Sequence, residues 1–364
     1  MNFIPISQPT ITDKEINYVT DAIKSGWVSS LGRYIDLFED NFASFCGTKY
    51  AVATSNGTTG LHLALVAMGI KVGDEVIIPD LTFIATANAV KYIGAKVVIV
   101  DIDEDTLCIS PEAVRQAITV NTKAIIPVHL YGHPANMDEI NKIAKEHDLI
   151  VIEDAAEAHG AEVNGRRVGG LSDAGVFSFY GNKIITSGEG GMITTNCPHL
   201  NKRMRFLRDH AMSKEKRYWH EEVGFNYRMT NLQAALGLAQ YERIDEILCR
   251  KKEIFNLYKE RLDNIKGIKL NFEADWATNV YWLVCLEIDN ISEENRDKFI
   301  LNLKERGIDS RPFFYPISDM PSYENVNTVI THKVFKQGIN LPSYFDLENS
   351  QIEYICEELI DLLC

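Results

Sequence analysis

The stretch KAIIPVHLYGHPANMDEINKIAKEHDLIVIEDAAEAHG, residues 123–160, decides the fold. It begins with a run rich in β-branched residues, continues with a segment of helical period, and ends in a second apolar run, LIVIED. Strands that are apolar on both faces and joined by a helix are typical of a parallel sheet covered on both sides. We therefore predict an α/β domain that binds its ligands at the carboxyl ends of the strands.

The same alternation extends on both sides of this stretch. Helices are predicted from LHLALVAMG (61–69) and SPEAVRQAI (110–118). Five further runs predict strands, which makes seven in a mainly parallel sheet: YAVATS (50–55), EVIIP (75–79), KVVIV (96–100), AGVFSF (174–179) and GMITT (191–195).

The pattern changes after a long segment of helical period, residues 227–262. The elements predicted beyond it are a strand at 280–288 and helices near 292–306 and 349–363. Because a single core stops growing near roughly 250–300 residues, this chain of 364 residues is expected to form two domains. We place a large α/β domain with an N-terminal arm in residues 1–245 and a small α+β domain in 246–364.

Composition excludes several classes of function. Lysine and arginine total 37 against 51 acidic residues, so the chain has no basic surface typical of nucleic-acid or anionic-membrane binding. Seven scattered cysteines without a C-x-x-C pair argue against a disulfide framework and against a metal site. The N-terminus lacks a signal pattern, and no run approaches the ~18 apolar residues of a membrane span, so we expect a cytoplasmic protein.

An acid, Asp154, ends the apolar run LIVIED. A carboxylate at the end of a buried strand is costly unless a positive group or a donor meets it. It could cap a helix or form an ion pair, or it could point into a cleft at the carboxyl edge of the sheet. Glu153 and Glu157 lie beside it and compete for the same role.

The stretch TSNGTTGLHLAL, residues 54–65, runs from a strand into a helix whose first turn carries Thr58 and Thr59. Backbone N–H groups and hydroxyls at a helix N-terminus can bind a phosphate, although a tight turn capped by threonine explains the pattern equally well. The chain has neither a Walker A loop nor a G-x-G-x-x-G fingerprint after a strand, which disfavours a nicotinamide-dependent sugar-nucleotide oxidoreductase.

A lysine, Lys183, lies in the stretch SFYGNKIITSGEGG, residues 178–191. An isolated lysine is usually a solvated surface residue. This chain also contains an acid at the end of a strand, a helix N-terminus suited to phosphate, and an aromatic residue, Phe83. A pyridoxal phosphate (PLP) site requires such groups. A lysine forms the Schiff base, an acid binds the pyridine nitrogen, and a further group binds the phosphate.

Four motifs carry a resemblance that spans nearly the whole chain. The motifs are SNGTTGLHLAL (55–65), VIEDAAEAHG (151–160), SFYGNKIITSGEGGM (178–192) and GFNYRMTNLQAALGLAQ (224–240). In this order along the chain, they resemble the DegT/DnrJ/EryC1/StrS family of PLP-dependent sugar aminotransferases. The resemblance implies an aspartate-aminotransferase-like α/β fold of fold type I, with PLP as cofactor and pyridoxamine phosphate (PMP) as its intermediate form. It also implies a homodimer with shared active sites.

The resemblance assigns roles to single residues. Lys183 would bond to the cofactor and move protons, and Asp154 would bind the pyridine nitrogen. The other cofactor residues would be Phe83 and Glu157 at the ring, Gly57, Thr58 and Ser178 at the phosphate, and Asn226 at the phosphate of the neighbouring subunit. Many family members have glutamine where this chain has Glu157, and glutamate is found there in one subgroup.

That subgroup forms a GDP-linked 4-amino sugar, and this chain resembles it most. The implied reaction moves an amino group from L-glutamate to C4 of a nucleotide-linked 4-keto-6-deoxyhexose, with GDP-4-keto-6-deoxymannose favoured. Such sugars serve O-antigen and lipopolysaccharide biosynthesis. The open alternatives are a dTDP- or UDP-4-keto-6-deoxyglucose 4-aminotransferase, a 3-aminotransferase, and a non-catalytic ligand-binding relative.

Aromatic and cationic side chains in RYWHEE (217–222) and SRPFFYP (310–316) suit a sugar and a diphosphate. The candidate substrate residues are Trp219, His220, Arg311 and Tyr315. The phenylalanines of the second motif could equally pack the small domain against the large one.

Overall fold

The computed structural model describes residues 3–363. Its strands are β1 (Tyr50–Thr54), β2 (Glu75–Pro79), β3 (Lys96–Val100), β4 (Thr122–Ile125), β5 (Ile150–Asp154), β6 (Glu162–Val163), β7 (Arg166–Arg167), β8 (Ala174–Ser178), β9 (Gly191–Thr195), β10 (Ile268–Leu270), β11 (Ala277–Thr278), β12 (Val284–Ile288), β13 (Arg311–Pro312) and β14 (Gly338–Leu341). Its helices are α1 (Asp13–Lys24), α2 (Arg33–Phe45), α3 (Gly57–Ala67), α4 (Ala85–Ile93), α5 (Pro111–Ala117), α6 (Met137–His147), α7 (Pro198–Arg208), α8 (Asn231–Tyr241), α9 (Ile244–Leu262), α10 (Glu293–Glu305), α11 (Val329–Gln337) and α12 (Asn349–Leu363).

The central sheet has seven strands in the order β1-β9-β8-β5-β4-β2-β3. Strands β8, β5, β4, β2 and β3 are parallel, and β9 runs antiparallel to both β1 and β8. The predicted α/β class and mainly parallel sheet are confirmed. Strand β4 is shorter than the predicted run 123–130, and Pro127, which has no N–H to donate to a ladder, lies just beyond its end.

Helices cover both faces of this sheet because each presents one apolar side to it. Helix α6 buries Met137, Ile140 and Ile143, and its first turn is capped by the side chain of Asn136, which accepts from the N–H of Glu139. Buried residues form one large hydrophobic cluster on each face. Since the parallel strands all end at the same edge, the residues that follow β2, β5 and β8 come together there.

The segment of helical period at 227–262 forms two helices, α8 and α9, rather than one. The side chain of Thr230 accepts from the N–H of Gln233, and the side chain of Gln233 accepts from the N–H of Thr230, so a capping box begins α8 only at residue 231. Arg243 leaves the helical conformation before α9 begins, at φ −113° and ψ 9°. A break this short leaves the apolar periodicity of the sequence intact, so the periodicity alone does not reveal it.

A second, antiparallel sheet has the order β10-β12-β14-β13 and packs with α9, α10 and α12 around its own buried cluster. Ile4 from the N-terminal segment belongs to the same cluster. The domain boundary between residues 245 and 246 stays a prediction, and it would fall at the start of α9. Across residues 3–363, no helix combines the length and apolar character needed to cross a membrane.

Candidate active site

A cavity of about 380 Å³ opens at the carboxyl edge of the central sheet. Most of its wall comes from the β1–α3 turn, the segment after β2, the end of β5 and the loop after β8. Seven predicted site residues line it: Gly57, Thr58, Phe83, Asp154, Glu157, Ser178 and Lys183. Residues that the sequence did not single out complete the wall, among them Thr86, Tyr180, Trp282 and Phe314.

The N-terminus of α3 opens into this cavity. Asn56 caps the helix by accepting from the N–H of Thr59 at 2.9 Å. The N–H groups of Gly57 and Thr58 have no acceptor among residues 3–363. A Cβ added to Gly57 would lie 3.0 Å from the Cβ of Ser178, so glycine leaves room beside that hydroxyl. Two free amides and a hydroxyl form a cradle for an anion such as a phosphate.

Asp154 ends β5 inside the cavity and is 5% exposed. Thr86 donates its hydroxyl to Oδ2 at 2.7 Å, and the N–H of Ala156 donates to Oδ1 at 3.2 Å. Burial raises the pKa of the Asp154 carboxyl, although the hydrogen bond from Thr86 acts in the opposite direction. A carboxylate placed in this way favours a ligand that brings a positive charge to it.

Glu153, the first competing acid, points away from the cavity. Its carboxylate accepts from the N–H groups of Gly169 at 2.7 Å and Leu171 at 2.9 Å, and it lies 3.1 Å from Nε2 of His129. Glu153 is completely buried, and these contacts satisfy its carboxylate oxygens within the fold. Of the three neighbouring acids, only Asp154 and Glu157 face the cavity.

Lys183 reaches the cavity with its Nζ atom next to Glu157. Nζ lies 3.3 Å from Oε1 of Glu157 and 3.8 Å from the ring centroid of Trp282. The other carboxylate oxygen, Oε2, accepts from the N–H of Tyr131 at 3.0 Å. Burial raises the pKa of Glu157, and the positive charge of Lys183 partly offsets this effect. The side chain of Lys183 is only 10% exposed and has an acceptor in reach, unlike a solvated surface lysine.

Phe83 forms the mouth of the cavity and is 55% exposed. Its ring centroid lies 5.7 Å from that of Phe314, which follows β13 in the chain. Phe313, in contrast, is completely buried in the core. The two phenylalanines of SRPFFYP therefore have different roles, and only Phe314 faces the cavity.

Five predicted residues do not line the cavity within the described part of this chain. Asn226 accepts two hydrogen bonds from the guanidinium of Arg228, at 3.1 and 2.9 Å. The others are Trp219 beside Lys216, His220 bonded to the carbonyl of His210, Arg311 paired with Asp309, and Tyr315 beside Phe335. One chain alone thus does not bring these five to Lys183.

The cavity fits a cofactor with a ring, a phosphate and an aldehyde. The free amides of Gly57 and Thr58 suit the phosphate, Asp154 suits a protonated ring nitrogen, and the amine of Lys183 suits the aldehyde. Its volume is that of a small-molecule site. Fold and cavity together fit the class of PLP-binding enzymes.

Comparison with known proteins gives the family. The profile of the DegT/DnrJ/EryC1/StrS aminotransferase family matches residues 9–360, and the chain belongs to this family. It is 44% identical to the GDP-perosamine synthase of Escherichia coli O157:H7 over 361 residues, covering 99% of this chain and 98% of that protein. It is 45% identical to the GDP-perosamine synthase of Caulobacter vibrioides over 364 residues, covering 99% and 98%.

Solved structures agree with this assignment. Spr1654 of Streptococcus pneumoniae, a proposed sugar aminotransferase solved in PLP and PMP forms, superposes with a TM-score of 0.94. It is 28% identical in sequence, and the match covers 99% of this chain and 98% of that chain. The predicted fold type and cofactor class are confirmed.

Proposed function

We propose that this chain transfers the amino group of L-glutamate to C4 of GDP-4-keto-6-deoxymannose and so forms GDP-perosamine. The observation that carries the proposal is similarity to two proteins named GDP-perosamine synthase, at 44% and 45% identity over 99% of this chain. The presence of Lys183 and Asp154 in one cavity supports catalysis and argues against a non-catalytic binder.

PLP, when bound, supplies a conjugated ring that accepts the electron pair released when a proton leaves the substrate carbon. Lys183 is the only lysine that lines the cavity in the described part of the chain, and its Nζ is the base for that proton. Glu157, whose Oε1 lies 3.3 Å away, orients Nζ. In the second half of the cycle, Nζ returns a proton to C4 of the sugar.

Asp154 keeps a positive charge on the ring nitrogen, because a buried carboxylate favours the protonated form of a base next to it. Thr86 holds Oδ2 of Asp154 at 2.7 Å and leaves the carboxylate little freedom to turn. The amides of Gly57 and Thr58 and the hydroxyl of Ser178 bind the phosphate. Phe83, at the cavity mouth, covers the ring face.

We also propose that the active protein is a homodimer. Asn226 lies outside the cavity of its own chain, which agrees with a role at the phosphate of a neighbouring subunit. Exposed apolar side chains on and after α1 offer a surface for a second copy: Ile16, Ile23, Trp27 and Leu31. Trp219 and His220 would reach the substrate from one subunit or the other in this dimer.

Arg311 and Tyr315 are proposed to bind the sugar nucleotide. Both are exposed, and they flank a segment whose Phe314 lines the cavity. An arginine there suits the diphosphate because its guanidinium presents several donors to phosphate oxygens. We place the reaction in the cytoplasm, with a product that serves O-antigen and lipopolysaccharide biosynthesis.

The test supplies GDP-, dTDP- and UDP-linked 4-keto-6-deoxy sugars in turn to the PLP-loaded protein with L-glutamate. We expect 2-oxoglutarate and a 4-amino sugar, identified by NMR, with the GDP-linked substrate giving the highest kcat/KM. Lys183→Ala serves as the inactive control. Preference for dTDP- or UDP-sugars, or an amino group at C3, would contradict the proposal.

A further inference from the structure

Tyr131 lies behind the cavity wall in a conformation that few residues adopt. It follows β4, has φ 53° and ψ 16°, and is 2% exposed. The left-handed region is unfavourable for a residue with a Cβ, so the surrounding contacts must maintain it. These contacts join two parts of the cavity wall that are distant in sequence.

Two hydrogen bonds fix Tyr131 at opposite ends. Its N–H donates to Oε2 of Glu157 at 3.0 Å, and Oε1 of the same carboxylate lies 3.3 Å from Nζ of Lys183. Its hydroxyl oxygen accepts from the N–H of Phe314 at 2.9 Å. One residue thus contacts both the carboxylate beside the lysine and the main chain of the SRPFFYP segment.

The ring of Tyr131 also supports the two aromatic side chains that line the cavity on this side. Its centroid lies 5.3 Å from that of Phe314 and 6.2 Å from that of Trp282, with interplanar angles of 28° and 21°. Trp282 in turn lies against Nζ of Lys183, at 3.8 Å from the ring centroid. Burial raises the pKa of Tyr131 well above its usual value, which keeps the phenol neutral.

The neighbouring glycine holds this turn against the segment that carries Trp282. Gly132 has φ +104°, and a Cβ there would lie 2.7 Å from the backbone nitrogens of both Tyr281 and Trp282. Its carbonyl accepts from the N–H of Val280 at 3.1 Å. The turn at Tyr131 is therefore anchored to the wall from which Trp282 projects.

We propose that Tyr131 is a positioning residue that couples the aromatic wall of Phe314 and Trp282 to the Glu157–Lys183 pair. Its hydroxyl sets the position of the Phe314 main chain, and its N–H sets the orientation of Glu157. The inference rests on the proposed function, in which the SRPFFYP segment binds the sugar nucleotide. The hydroxyl then matters for the half-reaction with the keto sugar, and the N–H for both half-reactions.

Tyr131→Phe separates these contributions because it removes the hydroxyl and keeps the ring and the N–H. The matched control is Tyr258→Phe: Tyr258 is equally buried and donates its hydroxyl to the carbonyl of Pro342 at 2.9 Å, but it does not line the cavity. Each substitution loses one hydrogen bond of the tyrosine hydroxyl, which changes an equilibrium constant by about threefold to tenfold.

The first readout is hydrogen exchange of the Phe314 amide in the apoprotein. We expect exchange about threefold to tenfold faster in Tyr131→Phe, where this N–H loses its acceptor, and no change in Tyr258→Phe. Unchanged exchange in Tyr131→Phe would overturn the proposal. This measurement needs neither cofactor nor substrate, so its result is independent of the proposed function.

The second readout follows each half-reaction separately by cofactor absorbance. We expect KM for the sugar nucleotide to rise about threefold to tenfold in Tyr131→Phe, while the glutamate half-reaction stays within about twofold of the wild type. Equal slowing of both half-reactions, or the same profile in Tyr258→Phe, would show a structural role only and overturn the coupling. Failure of the wild type to react at all would instead contradict the proposed function.

Discussion

The Nζ atom of Lys183 lies 3.3 Å from Oε1 of Glu157, and both side chains are largely shielded from solvent. A buried pair of this kind gains from its mutual attraction and loses hydration, so removing one partner leaves an uncompensated charge. Here the second carboxylate oxygen is also used, since it accepts from the N–H of Tyr131. Glu157 therefore acts as an acceptor twice, and its two roles can be tested apart.

Glu157→Gln is expected to keep much of the activity, and Glu157→Ala to lose far more. Glutamine retains an oxygen that can accept from Tyr131, whereas alanine leaves both that N–H and Nζ of Lys183 without a partner. We expect kcat within about tenfold of the wild type for Gln and a loss above about a hundredfold for Ala, because a positioned base contributes about 10²–10⁴-fold to the rate. Equal loss in both variants would show that the negative charge itself is required.

Asp154→Asn is expected to bind PLP and to lose most of the turnover. The amide keeps the shape of the carboxyl group but cannot hold a positive charge on the ring nitrogen. Thr86→Val, which removes the 2.7 Å hydrogen bond to Oδ2, is expected to cause a smaller loss. The measurements are kcat and cofactor affinity by absorbance titration. Normal turnover in Asp154→Asn would make Glu157 the partner of the ring.

Gly57→Ala is expected to weaken cofactor binding. The new Cβ would lie 3.0 Å from that of Ser178 and occupy the space beside the α3 amides. Overpacking of about 1–3 kcal/mol corresponds to roughly a 5- to 150-fold rise in Kd for PLP. Gly181→Ala is the control, because a Cβ at that glycine meets nothing within 4 Å. If both variants bind PLP like the wild type, the phosphate lies elsewhere.

Lys251 makes stability depend on pH. Its Nζ donates to the carbonyl oxygens of Trp282 at 2.7 Å and Ser343 at 2.5 Å, and burial lowers its pKa to about 7. Between about pH 7 and 10 the unfolded chain then binds a proton that the folded chain lacks, so the free energy of unfolding rises with pH.

Lys251→Met should flatten this rise, by up to about 1.4 kcal/mol per pH unit. Denaturant unfolding of the apoprotein at several pH values measures the slope. The exposed neighbour Lys252, substituted in the same way, is the control and should leave the slope unchanged. Identical slopes in the two variants would mean that the folded chain keeps Lys251 protonated across this range.

The central sheet could be predicted because its signals are local. Runs such as KVVIV match β3 from end to end, and strand composition does not depend on distant residues. The antiparallel direction of β9 was not predicted, since a strand's own residues do not specify the direction of its neighbour. The break between α8 and α9 was missed for a similar reason, because it depends on capping contacts and not on periodicity.

The lining of the candidate cavity could be predicted from the sequence where it follows the strands of the sheet. Asp154 and Ser178 are the last residues of their strands, and Lys183 lies in the loop after one. All three therefore reach the carboxyl edge of the sheet, where the sequence motifs had suggested a ligand site. Trp282 and Phe314 were missed because they reach the cavity only through the packing of the C-terminal sheet. In the sequence, Trp282 is one apolar residue among several in VYWLVCLEI, and no local signal marks it as part of a wall.

Borohydride reduction of the PLP-loaded protein, followed by peptide mapping, tests the role of Lys183 most directly. We expect a pyridoxyl phosphate group fixed to Lys183, and a visible absorbance band that disappears on reduction. Lys183→Arg, reduced in parallel, should carry no label. A label on another lysine, or a wild-type protein that stays colourless and unlabelled with excess PLP, would contradict the assignment of Lys183 and with it the proposed mechanism.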